Sequence, residues 1–315
     1  MTNPIPACQS YFRHLSPTPL APVQLDSEGP VIWCKLEFLN PSGSTKDRIA
    51  RYILEKAWRQ GRLKDGDTVI EASSGSTSIA FALACAQMGL RFLAVMPEGV
   101  SDERSLIIRA YGGEVRLSPR VDGILGAIAE SERLAAESSA FLPRQFANAD
   151  NAEAHRLGTA RETLDQIPGG VVDVVVSGVG TGGTLVGLYQ GLTESGCRVT
   201  PALARPVNIT VTPDVECCSF SQCIPGVVDS ISTIFQRAEL PGLITIEIND
   251  ALALETARHL QRKGFPVGPS SGLNYAAALA AFKQLGRPDA QILTVFPDRM
   301  ERYFTTELFA PLRTA

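Results

Sequence analysis

The order of predicted secondary-structure elements limits the possible folds of this chain more than any other feature. Short apolar segments typical of strands, at 31–38 and 68–72, alternate with helical patterns at 47–60 and 79–88. Parallel strands need a crossover of about a dozen residues or more, which a helix usually supplies. The alternation therefore predicts an α/β protein with a parallel sheet.

The same alternation continues to the end of the chain. Further strands are predicted at 91–96, 114–117, 141–146, 171–176, 208–211 and 291–296. Further helices are predicted at 102–110, 123–138, 149–164, 250–263 and 272–285. A length of 315 residues is enough for two domains, and the strand at 171–176 opens a second wound unit without a long linker before it.

Charge and composition favour a cytoplasmic enzyme over other classes of protein. The 29 basic and 33 acidic residues give 29 − 33 = −4, so no basic surface for nucleic acid or membranes is expected. The apolar runs are too short to span a bilayer, and the first residues lack the pattern of a signal peptide.

Cysteines and histidines predict no metal site and no disulfide framework. The seven cysteines include no C-x-x-C pair, and the three histidines lie far apart in the sequence. Most of these thiols are expected to pack as small buried groups. A redox or ligand role stays open for Cys217, Cys218 and Cys223, which are close together.

The turn-forming segment 40–48 contains one lysine, Lys46, just before an amphipathic helical pattern. Ser44 or Thr45 suits the N-cap, so Lys46 falls in the first helical turn. The positive end of the helix dipole disfavours an ammonium there, and a neutral amine can form an imine. We predict that Lys46 is reactive, while a solvated surface lysine is the alternative if the segment is taken alone.

Three loops rich in Ser, Thr and Gly, at 42–46, 73–77 and 178–184, each follow a predicted strand and precede a helix. Ligands of open α/β sheets bind outside the carboxyl ends of the strands, so we expect the loops to line one crevice. The third loop combines a strand, glycines and a helix N-terminus, which together bind anions. We therefore predict a phosphate site there, to which Thr181 and Thr184 add hydroxyl donors.

The third loop also matches the dinucleotide-binding pattern G-x-G-x-x-G at 178–183. That pattern needs an acidic residue at the end of the next strand, about 20 residues on. Glu194 has this spacing but follows a helix, and Asp214 is too far along, so a simple phosphate ester fits better than NAD. An NAD-dependent oxidoreductase, a catalytically silent binding protein and a tight turn without ligand are the alternatives.

A lysine able to form an imine, a phosphate loop and no metal ligands together indicate pyridoxal 5'-phosphate. The chain resembles the fold-type II pyridoxal-phosphate enzymes, within them the cysteine synthase (O-acetylserine sulfhydrylase) and cystathionine β-synthase family. The resemblance covers about residues 16–309. It rests on the segments 17–20, 35–48, 71–77, 145–146, 178–184, 268–272, 297–298 and 301–303.

The resemblance implies roles for residues around the cofactor. Lys46 forms the internal aldimine and later moves the α-proton, and Ser270 faces the pyridine nitrogen as a neutral hydroxyl. The phosphate is held by Gly180, Thr181, Gly182, Gly183 and Thr184. The substrate α-carboxylate is bound by Ser73, Ser74, Gly75, Thr77 and Gln145, in a loop expected to close over the substrate.

The resemblance also implies the organisation of the molecule. Two open, mainly parallel twisted sheets flanked by helices enclose the cofactor between two domains. Residues 40–146 form a smaller, mobile domain that grips the substrate, and residues 1–39 with 147–315 form a larger cofactor-binding domain. A homodimer is expected on the same basis.

The implied reaction is β-replacement on an activated serine through an aminoacrylate, most simply O-acetylserine plus sulfide to cysteine. The chain departs from the family at one position of the cofactor site. The family usually has an Asn that bonds to the cofactor's 3'-oxygen, and this chain has Ser76 at that position. The Ser-Ser-Gly-Ser-Thr version of the loop also resembles some desulfhydrase-like relatives. Elimination from cysteine to sulfide, pyruvate and ammonia, and replacement by an amine or homocysteine, are therefore alternatives.

Overall fold

A computed structural model of the chain describes residues 17–207, 224, 227 and 231–313. Its strands form two separate sheets. They are β1 (Leu20–Val23), β2 (Ile32–Lys35), β3 (Thr68–Ala72), β4 (Arg91–Pro97), β5 (Glu114–Ser118), β6 (Val174–Ser177), β7 (Thr200–Val207), β8 (Ile244–Asn249) and β9 (Ile292–Val295).

Helices occupy most of the connections between the strands. They are α1 (Lys46–Arg59), α2 (Ser76–Met88), α3 (Asp102–Ala110), α4 (Gly123–Ser138), α5 (Asp150–Ala154), α6 (Ala160–Gln166), α7 (Gly183–Glu194), α8 (Thr233–Gln236), α9 (Asp250–Arg262), α10 (Pro269–Leu285) and α11 (Ala310–Arg313). In the part of the chain that the structure describes, none of the helices combines the length and apolarity needed to cross a membrane.

The larger sheet has the strand order β1-β2-β9-β6-β7-β8. Its pairs are parallel except β1 with β2, and β2 lies beside β9 with Trp33 opposite Leu293. In β6, Val174 and Val176 face the core beneath α9 and α10, whereas Val175 faces the core beneath α6 and α7. Both faces are therefore covered by helices, as a parallel sheet requires.

The smaller sheet has the order β3-β4-β5, and both pairs are parallel. Val69 of β3 packs in the core formed with α1 and α2, whereas Ile70 packs in the core formed with α4. Adjacent residues of a strand point to opposite faces, so this sheet is also buried on both sides. The prediction of two mainly parallel sheets flanked by helices is confirmed. The domain boundaries at 40 and 146 stay a prediction.

Helices α3 and α4 have the predicted bounds, and the helix predicted at 47–60 begins one residue earlier, at Lys46. The segment 141–146 is not a strand: only Phe141 forms an isolated bridge to β3, and Arg144 adopts a φ of 56°. Strands β1, β7 and β8 were not predicted. The strand predicted at 208–211 lies outside the described residues, as do Cys217, Cys218 and Cys223.

Candidate active site

A cavity opens at the carboxyl ends of β3, β4, β6 and β9, between the two sheets. This is the edge at which ligands of α/β proteins bind. Its wall includes most of the predicted site residues: Lys46, Ser73, Ser74, Ser76, Thr77, Gln145, Gly180, Thr181, Gly182, Thr184 and Ser270. The predicted residues Gly75 and Gly183 are not among the residues that line it. The three loops expected to share one crevice therefore meet there.

Lys46 is the first residue of α1 and its side chain lines the cavity. Its backbone N–H donates to the Ser44 hydroxyl at 3.3 Å, while Thr45 occupies the N-cap position without a side-chain capping bond. Burial lowers the pKa of the Lys46 amine, and Arg302 lowers it further, whereas the Asp298 carboxylate acts in the opposite sense. The neutral amine is thus easier to reach than for an exposed lysine.

The loop before Lys46 is held by its neighbours in space. The Thr45 N–H donates to the Pro297 carbonyl at 2.8 Å. The Arg302 guanidinium donates to the carbonyls of Ser42 and Gly43, and Gly43 has a φ of 81°, which favours glycine. These bonds fix the backbone from which Lys46 projects.

A buried ion cluster, the Arg48 cluster, lies beside the same loop. Arg48 contacts both oxygens of Glu37 and both oxygens of Glu162, and Lys35 lies 2.9 Å from Glu162. Thr18 also donates to Glu37, at 2.7 Å. Burial acts to raise the pKa of Glu37, but the contacts with Arg48 and Thr18 lower it to about 2. Two cations thus neutralise two anions next to the start of α1.

The 73–77 loop is organised by its own hydroxyl groups. The Ser73 hydroxyl oxygen accepts from the N–H groups of Gly75 at 2.9 Å and Ser78 at 3.3 Å. The Thr77 hydroxyl donates to the Gln145 amide oxygen at 2.6 Å, and the Gln145 amide donates to the Ala72 carbonyl at 2.6 Å. The loop leads into α2, so the positive end of that helix dipole lies at the cavity.

Arg104 lines the cavity and was not found from the sequence. It donates to the Ser74 carbonyl at 2.7 Å, and its guanidinium carbon lies 5.5 Å from the centre of the Tyr303 ring. Gly75 has a φ of 151°, and a Cβ there would lie 2.3 Å from the Arg104 side chain. Arg104 lies in the first turn of α3, where the helix dipole disfavours a cation. A basic residue at the start of a helix is the same sequence signal that indicated Lys46.

The 178–184 loop connects β6 to α7 and is held by two asparagines that sequence reasoning missed. Asn274 accepts from the Gly178 N–H at 2.8 Å, and Asn151 donates to the Thr181 hydroxyl at 2.9 Å. A single asparagine within a helix has no sequence pattern to distinguish it. These contacts keep the loop backbone in place at the start of α7.

Gly183, at the first position of α7, is in close contact with Asn151. A Cβ there would lie 1.8 Å from the Asn151 side-chain oxygen and 2.5 Å from its Cγ atom. We expect Gly183→Ala to displace Asn151 and the loop, and to weaken binding of the predicted cofactor, pyridoxal phosphate, by about tenfold or more. Titration of the apoprotein with the cofactor, followed by absorbance, measures this. Wild-type affinity in the variant would contradict it.

Glu71, at the end of β3, is buried and accepts from the N–H groups of Ala72 at 3.0 Å and Gln145 at 3.2 Å. Burial raises the pKa of Glu71 from 4.5 to about 8, although these bonds act to lower it. Between pH 4.5 and about pH 8, the folded state therefore binds more protons at Glu71 than the unfolded state does. The free energy of unfolding should fall as the pH rises from about 4.5 to about 8.

Glu71→Gln should remove this contribution, so its urea midpoint should decline less than that of the wild type across the window. Urea unfolding of both proteins at several pH values measures the difference. Parallel curves would show that Glu71 does not take up the proton.

The cavity wall also fits a polar ligand. Thr45 Oγ1 and Asp298 Oδ1 are buried and have no hydrogen-bond partner among the described residues. The glycine loop at the start of α7 and the amine of Lys46 face the same space. An aldehyde with a phosphate group matches the amine and the loop. Within the described ranges, no three His, Cys, Asp or Glu side chains are placed to hold a metal ion.

A family model described as "Pyridoxal-phosphate dependent enzyme" matches residues 11–298. The chain belongs to this family. Its cofactor is pyridoxal 5'-phosphate, and the predicted resemblance to cysteine synthases and cystathionine β-synthases is confirmed.

Relatives and solved structures of this pyridoxal-phosphate family extend the comparison. A cysteine synthase of Staphylococcus aureus is 35% identical over 294 residues, which covers 91% of each chain. The structure of an O-acetylserine dependent cystathionine beta-synthase from Helicobacter pylori is 31% identical, with a TM-score of 0.82, and covers 94% of this chain and 97% of that one. The structure of a hydrogen sulfide-producing enzyme from Fusobacterium nucleatum is 31% identical, with a TM-score of 0.84. The match covers 96% of this chain and 91% of that one.

Proposed function

We propose that this enzyme replaces a substituent on the β-carbon of an activated serine, most simply converting O-acetylserine and sulfide into cysteine. The observation that carries the proposal is that Lys46, the 73–77 loop and the 178–184 loop meet at one cavity. The similarity to a cysteine synthase and to an O-acetylserine dependent cystathionine beta-synthase supports the same class of reaction.

Bound pyridoxal phosphate supplies an electron sink that stabilises negative charge on the substrate's α-carbon. In the proposal, Lys46 binds the cofactor's aldehyde, and its released amine takes the α-proton. Burial lowers the pKa of this amine, which favours the neutral form that accepts a proton. Ser270 lies in the first turn of α10. It would face the pyridine nitrogen of the bound cofactor as a neutral hydroxyl, which would not enforce protonation of that nitrogen.

The remaining roles concern binding. The backbone of 180–184 and the hydroxyls of Thr181 and Thr184 would hold the phosphate, at the positive end of the α7 dipole. The 73–77 loop together with Gln145 would bind the substrate α-carboxylate, and Ser76 would lie beside the cofactor's 3'-oxygen. Closure of this loop over the substrate would exclude water from the reacting atoms.

A second candidate is β-elimination from cysteine to sulfide, pyruvate and ammonia. Ser76 favours it, because the family usually has Asn at this position, and so does the similarity to a hydrogen sulfide-producing enzyme. An amine or homocysteine in place of sulfide is a third possibility within the replacement reaction.

A substrate panel tests these candidates on the purified holoenzyme. O-acetylserine is supplied with sulfide, with an amine or with homocysteine, and cysteine is supplied alone, with products identified by mass spectrometry. The leading proposal expects cysteine from O-acetylserine and sulfide as the fastest reaction. If sulfide and pyruvate are released faster from cysteine alone, β-elimination replaces β-replacement as the proposed reaction. A holoenzyme that is inactive on every substrate of the panel would contradict both proposals.

The proposal includes a cytoplasmic homodimer with a smaller domain at 40–146 and a larger one at 1–39 with 147–315. The two separate sheets support the division, because the small sheet lies wholly within 40–146. Light scattering after size-exclusion chromatography tests the dimer, for which a mass of twice 33.7 kDa is expected. A mass of one chain would contradict it.

A further inference from the structure

Asp298 follows β9 and lines the cavity, but its presence in the sequence did not suggest a role. Its side chain is 5% exposed. One oxygen, Oδ2, accepts from the Ser76 hydroxyl at 3.1 Å and from the Tyr303 hydroxyl at 2.7 Å. The other oxygen, Oδ1, is buried and has no partner within the described part of the chain. One carboxylate oxygen thus accepts hydrogen bonds from two hydroxyl groups at the wall of the site.

The backbone of Asp298 is fixed from two sides. It forms a bridge to Ser44, two residues before Lys46, and its carbonyl accepts from the Gly268 N–H at 3.0 Å. Gly268 has no Cβ, and one placed there would lie 2.6 Å from Asp298 Oδ1. The Lys46 loop and the start of α10 therefore hold the carboxylate in place. Ser76, which contacts it, is the first residue of α2, a helix that packs on the small sheet.

Tyr303 can act only as a donor in this arrangement. Burial raises the pKa of the Tyr303 hydroxyl well above its ordinary value, and the charge of Asp298 raises it further. The phenol therefore keeps its proton and donates a hydrogen bond to Asp298. Asp298 is consequently the acceptor of both bonds.

The direction of the Ser76 bond limits what Ser76 can offer to a ligand. A hydroxyl has one proton and two lone pairs, whereas an amide has two N–H donors and an oxygen acceptor. When the Ser76 proton points to Asp298, only lone pairs remain for the cavity. An asparagine at this position, as the family usually has, would keep a donor for the cofactor even after bonding to Asp298.

We propose that Asp298 is a positioning residue that draws the Ser76 proton away from the cofactor, so that Ser76 presents an acceptor oxygen to the cofactor's 3'-oxygen. This inference rests on the proposed function in one respect, which is the position of Ser76 beside the 3'-oxygen. An acceptor there favours the form of the bound cofactor in which the 3'-oxygen keeps its own proton. A donor there favours the form in which that oxygen is ionised.

The two forms differ in absorbance, because the form with a protonated 3'-oxygen absorbs in the near ultraviolet and the ionised form in the visible. The ratio of the near-ultraviolet to the visible band, measured on the resting holoenzyme at one pH, reports the balance without any turnover. Asp298→Asn gives Ser76 an amide donor in place of a carboxylate and frees the Ser76 proton for the cofactor. We expect the ratio to fall by about tenfold, since a hydrogen bond to a charged group shifts an equilibrium by about this factor.

The action of Asp298 through Ser76 is tested by combining the two changes. In a Ser76→Ala background, Asp298→Asn should leave the ratio of the single Ser76→Ala variant unchanged, because the group that transmits the effect is absent. Asp289→Asn, which changes an exposed carboxylate paired with Arg287, is the matched control and should retain the wild-type ratio. An unchanged ratio in Asp298→Asn, or an undiminished effect in the Ser76→Ala background, would overturn the proposal.

If Asp298→Asn does not fold, Tyr303→Phe provides a second test. It removes the competing donor, so Asp298 should hold the Ser76 proton more tightly and the ratio should rise, whereas a fall would overturn the proposal. These spectra are separate from the test of the proposed function. A holoenzyme with no activity on the substrate panel still yields the ratio, and a protein that binds no cofactor would contradict the proposed function itself.

Discussion

Lys46→Ala is expected to lower kcat by about a thousandfold or more while leaving the fold intact. The change removes the amine proposed to bind the cofactor and to move the α-proton, and loss of a positioned proton-transfer group alone costs about 10²–10⁴-fold. It leaves the 178–184 loop unchanged, so the cofactor should still bind without a covalent bond. Steady-state rates measure the first effect. Borohydride reduction followed by mass spectrometry should label the wild-type Lys46 peptide.

Lys56→Ala is the matched control for this prediction. Lys56 lies in the same helix, α1, but its amine contacts Asp150 at the protein surface, and the residue does not line the cavity. Its loss should leave kcat close to the wild-type value. Substantial β-replacement activity in Lys46→Ala, or borohydride labelling of a different lysine, would show that Lys46 is not the reactive residue.

Arg48→Met is expected to destabilise the protein by about 3–5 kcal/mol. The substitution preserves much of the side-chain volume but leaves the buried Glu37 without the guanidinium that contacts both its oxygens. Glu162 loses the same partner and, among the described residues, keeps its ion pair with Lys35. An uncompensated buried charge costs more than the ion pair contributes. The free energy of unfolding, measured by urea denaturation, should fall by this amount.

Arg133→Met tests the specificity of that effect. Arg133 also contacts two carboxylates, Glu130 and Glu137, but on the exposed side of α4. Solvent and salt screen these charges, so the urea midpoint should hardly change. Equal losses in the two variants would mean that burial of the Arg48 cluster does not determine its contribution.

The sequence predicted best those elements whose signals are local. Helix α3 follows Ser101, a favoured N-cap type, and ends before two glycines, and its predicted bounds match the structure. Strand β7 contains Pro201 and Pro206, which normally argue against a strand inside a sheet, so it was not predicted. Its place between β6 and β8 is set by packing of residues distant in the sequence, and no local pattern records that packing.

The same distinction applies to the site. Loops with strand, glycine and helix signals were found, and they meet at the cavity as expected. Asp298, Asn151 and Asn274 were assigned no role, because each has a contact with a residue that is distant in the sequence. The bond from Ser76 to Asp298 joins residues 222 positions apart. Only the folded backbone brings such pairs together.

The pairing of β2 with β9 has a consequence for how the protein is made on the ribosome. Strand β3 to strand β5 span only residues 68–118, so the small sheet can form soon after synthesis of that stretch. The large sheet cannot be completed as early, because β9 joins β2 to β6 and Trp33 of β2 pairs with Leu293 of β9. The bond from Thr45 to Pro297 waits equally long. We therefore expect Lys46 to gain its finished surroundings only after residue 297 has been synthesised, so nascent chains that stop before β9 should not capture the cofactor.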